Sequence, residues 1–194
     1  MIKKISTVAV ITMAMASNSL FAQTFKADAS KSSVAWLAKK VTGQHDGDVK
    51  LTSGTLTLDK GEVKSGTFEV GMTTMTVKDL TGEYADKLMG HLKSDDFFSV
   101  EKFPKATLVI TEGKKEATGG YLLKGNLTIK GITKPVTFPA TITTVGNVLT
   151  ATSAITVDRT AYDIKYGSAS FFDSLGDKAI DNNFLLTVKL VATK

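Results

Sequence analysis

The stretch HLKSDDFFSVEKFP, residues 91–104, carries the side chains best suited to chemistry in this chain. His91 and Asp95, four apart, would share one face of a helix, and Asp96 adds a third candidate metal ligand. A zinc site ordinarily takes three or four protein ligands. The only other histidine, His45 in GQHDGD, has no metal spacing to these three and reads as part of a turn around Gly47. The adjacent Asp95 and Asp96 diverge, which does not suit two carboxylates meant to act on one substrate. SDD before an apolar run reads more simply as a helix N-cap with favourable negative charge. A hydrolase using His91, Asp95 or Asp96 finds no supporting motif. The chain has no G-x-S-x-G pattern, P-loop or dinucleotide fingerprint. With no cysteine, thiolate nucleophiles and thiolate metal sites are excluded. The reading is non-enzymatic, with no catalytic residue, metal or cofactor expected.

Two other groups stand out. Arg159 is the only arginine among 24 basic residues. With Asp158 beside it and Tyr162 and Tyr166 close by, it could pin a loop or meet a ligand's polar head. Phe97, Phe98, Phe103, Phe171 and Phe172 make up five of the ten phenylalanines and fall in two irregular segments. They could plug the ends of a barrel as core or line the entrance to a lumen. An eight-stranded barrel is just wide enough for either.

The elements that must position these residues are strands. Alternation with period two runs through residues 32–43, 54–61, 65–77, 106–113, 119–131, 134–146, 148–159 and 183–194. Eight short strands at regular spacing predict an all-β sandwich or barrel. Val34 and Trp36 share one face, as do Phe68, Val70 and Met72, and Phe138 and Ile142. Pro135 and Pro139 fall in one segment, which places that strand at an edge or bends it. Residues 78–104 break the alternation. Leu80, Tyr84, Leu88 and Leu92 recur every four residues, so one or two helical turns crossing a barrel mouth are expected, starting near Thr81 and interrupted at Gly90.

The start of the chain reads as a secretory signal. Lys3 and Lys4 precede an apolar run too short to span a bilayer, and Leu20-Phe21-Ala22 offers a cleavage site. Residues 1–22 are set aside as a signal peptide, and residues 23–194 form one domain in a periplasmic or otherwise exported protein. Without Lys3 and Lys4, 22 basic residues face 19 acidic ones. The lysines are scattered singly or in pairs between acids. That is a solvated surface and no nucleic-acid patch.

Three blocks then carry a resemblance. GHLKSDDFFSVEKFPKATL (90–108), GNLTIKGITKPVTFP (125–139) and VDRTAYDIKYG (157–167) together resemble the signature of the YceI-like family of exported, lipocalin-like proteins. The third block departs from the family pattern at Ala161-Tyr162-Asp163, where an aromatic-glycine step is common. The resemblance implies an extended eight-stranded antiparallel lipocalin-like barrel with a short helix near the mouth. It also implies an apolar lumen binding a polyisoprenoid or other long-chain lipid. Val34, Trp36, Phe68, Val70, Met72, Phe138 and Ile142 then become inward faces of strands. Leu88, Leu92, Phe97, Phe98, Phe103, Phe171 and Phe172 become the mouth. Arg159, Tyr162 and Tyr166 are left as head-group or loop contacts. A passing membrane contact and a homodimer are both compatible with this reading. The alternative is a filled barrel acting as an interaction or stress-related structural protein without a ligand.

Overall fold

The computed structural model describes residues 22–117 and 119–194, so the leader expected over residues 1–22 lies outside the described residues but for Ala22. The elements run β1 (Gln23–Ala27), β2 (Ser33–Lys40), β3 (Gly43–Asp59), β4 (Glu62–Val77), α1 (Gly82–Lys93), β5 (Lys105–Lys115), β6 (Tyr121–Ile129), β7 (Ile132–Val145), β8 (Val148–Asp158) and β9 (Ile180–Thr193). Every pairing is antiparallel. The sheet order β3-β2-β9-β8-β7-β6-β5-β4 closes through β4 back onto β3. The result is a closed eight-stranded antiparallel barrel of the lipocalin type.

The short β1 adds no ninth stave. It pairs with the far half of β3 at Thr55–Leu58 and with the end of β9, while β2 pairs with the near half of β3 and the start of β9. β1 and β2 are therefore one stave broken by a turn at Asp28–Ser32. Inside that turn the Asp28 carboxylate accepts from the Ser30 N–H and hydroxyl at 3.0 and 2.6 Å. The Ser32 hydroxyl accepts the Val191 N–H at 3.1 Å, replacing a ladder bond that the break removes.

Hydrogen bonding from Ser30 and then Lys31 lowers the Asp28 pKa to about 2. Near the other end of the barrel, burial raises the Asp79 carboxyl, but hydrogen bonds from His45 and the Asp46 N–H outweigh it and hold the group below its usual range. Both folded-state pKa values are depressed. Their stabilisation is therefore present above about pH 4 and is lost as pH falls through the folded values. We expect the Val191 and Ser32 amides to lose exchange protection between about pH 4 and pH 2. An Asp28→Asn variant should show a flatter profile there. Equal profiles for the two proteins would contradict this role.

Two hairpins turn on Lys-Gly pairs. Lys60-Gly61 has φ of 52° and 82°, and Lys130-Gly131 has 51° and 73°. Positive φ at both central residues is the twist that suits a two-residue hairpin. The proline-bearing strand β7 pairs with β6 along Ile132–Ala140 but with β8 only along Ala140–Val145. Pro135 and Pro139 thus fall where β7 has lost its partner on one side, which is where missing N–H donors cost least. The gap is filled by the 3-10 turn Arg159–Tyr162, which contacts β7 and β9 and buries Tyr162.

Three expectations change. GQHDGD is strand, not turn: it forms the start of β3 opposite β2, with Gly47 directly across from Trp36. Helix α1 runs through Gly90 without interruption. Ser94-Asp95 starts no second helix. Ser94 ends α1, its hydroxyl donating to the His91 carbonyl at 2.8 Å, and a turn follows.

Candidate functional site

The barrel is packed at one end and hollow at the other. At the packed end Phe25, Val63, Tyr121, Leu149 and Ala192 are at most 5% exposed, and the Tyr121 hydroxyl donates to the Gly61 carbonyl at 2.7 Å. Along the lumen the inward apolar side chains stay only half-buried because they face a void. Trp36, Phe68, Val70, Ile142, Phe184, Leu186 and Val188 are all of this kind, and all line the lumen.

Its dimensions follow from the ladder. Ile180 and Leu190 both border the lumen, ten residues apart on β9. That is about 33 Å of strand, or about 25 Å along the barrel axis at the usual tilt. The cavity leaves about 210 Å³ open to the centres of water-sized molecules. Spread over that length, with a water radius added, it makes a channel of roughly 3 Å radius. One hydrocarbon chain fits such a channel. The length exceeds one leaflet of a bilayer's hydrocarbon core, about 15 Å.

Of the expected lumen residues, Val34, Trp36, Phe68, Val70, Met72, Phe138 and Ile142 border the cavity from the strands, and Leu92, Phe97 and Phe98 border it from the mouth. Alternation could have added β5 and β9. Leu108 and Ile110, and Phe184, Leu186 and Val188, also line it. In FLLTVKLV the apolar neighbours Leu185 and Val191 mask the period. The Trp36 indole N–H is buried without an acceptor among the described residues, a mismatch costing about 1–3 kcal/mol.

The mouth corrects four assignments. Leu88 does not reach the lumen. The residues of α1 that pack on the core are Met89 and Leu92, and Tyr84 is 75% exposed. Phe103 lies outside the barrel wall against Gly131, where an added methyl would come within 2.7 Å of its ring. Phe171 and Phe172 are half-exposed. Their N–H groups both donate to the Ser168 carbonyl, and it is the fully buried Ser168, bonded to Asn182, that anchors the loop.

Side chains from two segments meet at the mouth. The Tyr166 ring meets His91 edge-on at 4.5 Å and Phe97 at 5.5 Å. The Lys130 ammonium donates to the carbonyls of Asp95 and Asp163 at 2.9 and 3.3 Å, joining the same segments. Asp95 and Asp96 point to different partners, Lys102 at 2.6 Å and His91 at 3.3 Å. Among the described residues no three histidine or acidic side chains gather as metal ligands do.

Arg159 is 4% exposed and borders the lumen. Its Nε donates to the Asp181 carbonyl at 2.9 Å, and Nη2 to that of Ile180 at 3.0 Å. Nη1 donates to the carbonyls of Ile164 and Tyr166, both at 2.8 Å. The guanidinium thus ties the loop after β8 to the start of β9. Burial lowers its pKa, opposed by the charges of Asp158 and Asp181. Tyr162 is core rather than lumen, and burial raises its phenol pKa.

A family model described as a YceI-like domain matches residues 25–192. A UPF0312 protein of Yersinia enterocolitica is 42% identical over 94 residues, 48% of this chain and 46% of the relative. Another from Shewanella denitrificans is 38% identical over 87 residues, 45% of this chain and 44% of the relative. The matched stretch thus spans somewhat under half the length of these curated relatives. Among solved structures, BcnA of Burkholderia cenocepacia superposes with a TM-score of 0.70 at 22% identity, over 86% of this chain and 99% of that one. A polyisoprenoid binding domain from Saccharophagus degradans, implicated in plant cell wall breakdown, gives 0.62 at 10% identity, over 87% and 97%. At those identities the likeness is one of fold.

Proposed function

Because the chain belongs to the YceI-like family, we propose that it is an exported, periplasmic carrier that holds one long-chain isoprenoid or quinone-type lipid in its barrel and performs no catalysis. The observation that carries this reading is the lumen itself, an apolar channel one chain wide and longer than a bilayer leaflet. The polyisoprenoid-binding domain that shares the fold supports the choice of lipid.

Energetics favour exchange over permanent capture. Each CH₂ taken from water gains roughly 0.8 kcal/mol, so a long chain would exceed the ceiling of about 20 kcal/mol for non-covalent binding. The competing state, however, is a membrane and not water. Moving a tail from bilayer to lumen gains little hydrophobic free energy. Occupancy is then set by channel width, chain ordering and the head group.

The test is transfer. Protein freed of co-purified lipid is incubated with vesicles carrying a labelled prenyl lipid, then separated by gel filtration. Label eluting with the protein at close to one chain per barrel is expected. Label remaining wholly with the vesicles would contradict the carrier reading.

A further inference from the structure

We infer that the mature chain begins at Gln23 and that this residue closes on itself to a pyroglutamyl lactam, a self-modification that caps the first strand. The inference rests on the exported reading above, since it requires the leader to be cut after Ala22.

The fold starts where the expected cleavage site ends. Ala22 precedes the first strand, and β1 opens at Gln23, opposite Leu58 of β3. Two residues further on, Phe25 is 0% exposed and plugs the packed end of the barrel. Thr24 is tied to Thr57 by a hydroxyl–hydroxyl bond of 3.0 Å. Gln23 itself is exposed, and its carboxamide has no hydrogen-bond partner among the described residues. The ladder partners of β1 all lie in β3 and β9. Loss of residues 1–22 therefore leaves the strand intact and sets a free α-amine on an exposed glutamine.

An N-terminal glutamine holds a nucleophile and an electrophile in one residue. Joining the α-amino nitrogen to the side-chain amide carbon makes a five-membered ring, and no second molecule has to be oriented. An α-amine has a pKa of about 7.7–8.0, so a sizeable share is neutral and nucleophilic near neutral pH, unlike a lysine amine at about 10.4. The neutral amine attacks the amide carbon and a C–N bond forms. The bond to the amide nitrogen then breaks, and that nitrogen leaves as ammonia with one proton from the amine. No oxidant, cofactor or co-substrate is consumed. Closure turns only side-chain torsions, and the ψ of Gln23 that sets the strand lies outside the ring. The lactam nitrogen keeps one N–H, so the pairing opposite Leu58 is not given up.

The lactam removes the positive terminal charge. It also denies an aminopeptidase the free amine that it recognises. Chain termini are where proteolysis concentrates, and here only Gln23 and Thr24 stand before Phe25. Trimming past them would unseat the residue that plugs the packed end.

The full chain is expressed with its own leader, purified from the periplasm and held at neutral pH for several days. Intact mass and fragmentation of the N-terminal peptide are followed. The expected product starts at Gln23 and is lighter by about 17 Da, the ammonia lost, in a share that grows with time. It resists stepwise sequencing from the amino end until pyroglutamyl peptidase removes the ring and exposes Thr24. A Gln23→Ser variant should be cut at the same place, keep its full mass and be trimmed by an aminopeptidase that leaves the wild-type chain whole. A chain that starts at Gln23 and keeps its full mass throughout would overturn the lactam. Equal trimming of wild type and variant would overturn the capping role. A mature chain starting at another residue would overturn the site while leaving export and lipid binding intact. Retention of Met1 would defeat the exported reading, and the inference with it.

Discussion

Ala151→Phe is expected to evict a long prenyl lipid while leaving the barrel folded. Ala151 lies on β8, across from Ile142 on β7 and Leu190 on β9. It borders the lumen and is only half-buried, because its methyl faces the void. A phenyl group placed there enters the channel near the packed end. A cavity of about 150 Å³ is enough to hold a benzene ring, so the new side chain would take much of the 210 Å³ available. Filling a void is commonly neutral or stabilising. Retention of a long prenyl chain after exchange from vesicles should fall tenfold or more, about 1.4 kcal/mol. A chain short enough to stay in the mouth half should lose less. The lipid-free melting temperature should stay within about 2 °C or rise. Unchanged retention of the long chain would mean that the tail does not reach Ala151.

The second large effect concerns Gly47. A methyl at this position would come within 1.8 Å of the Thr76 carbonyl oxygen and 2.8 Å of the Trp36 indole. The first neighbour is backbone in β4, the stave that closes the barrel onto β3. The second is the Trp36 ring, which lines the lumen beside Gly47. The carbonyl cannot yield as a flexible side chain does, and the ring can give way only by tilting. Overpacking a core costs about 1–3 kcal/mol and sometimes more. With backbone as the obstacle, Gly47→Ala should cost about 3 kcal/mol or more. For a domain of this size that lowers the melting temperature by roughly 6–12 °C. Indole fluorescence should shift as well, since Trp36 must tilt. A melting temperature within about 2 °C of the parent would show that β4 can move away from β3 at this point at little cost.

The strands and their inward faces were legible because a strand's side chains alternate with period two, and a barrel turns that period directly into inside and outside. Val34, Phe68, Val70 and Phe138 could be placed on that basis alone. The mouth was not legible in the same way. Leu88 and Leu92 share a spacing of four, yet only Leu92 faces the barrel, because the start of α1 and its tilt are set by contacts with β4. Phe103, Phe171 and Phe172 lie in segments without a period, where orientation follows from turns anchored at Ser99 and Ser168. The extent of filling was also hidden. Composition left a plugged and a hollow barrel equally open, and the molecule is both, packed around Phe25 and Leu149 and hollow around Trp36 and Phe98. The GQHDGD segment misled because Asp and Gly usually mark turns. In this chain Gly47 is required by the close approach of β4, which is a long-range fact.

The central claim is that the lumen holds one lipid chain. Its most direct test is the mass of the intact protein, purified from its own cells and measured under non-denaturing conditions, beside an organic extract of the same sample. The expected result is a single added mass close to one per protein, matched in the extract by one long-chain lipid with an oxygen-bearing head. Protein at its bare polypeptide mass, with no lipid in the extract and none acquired from lipid vesicles, would contradict it.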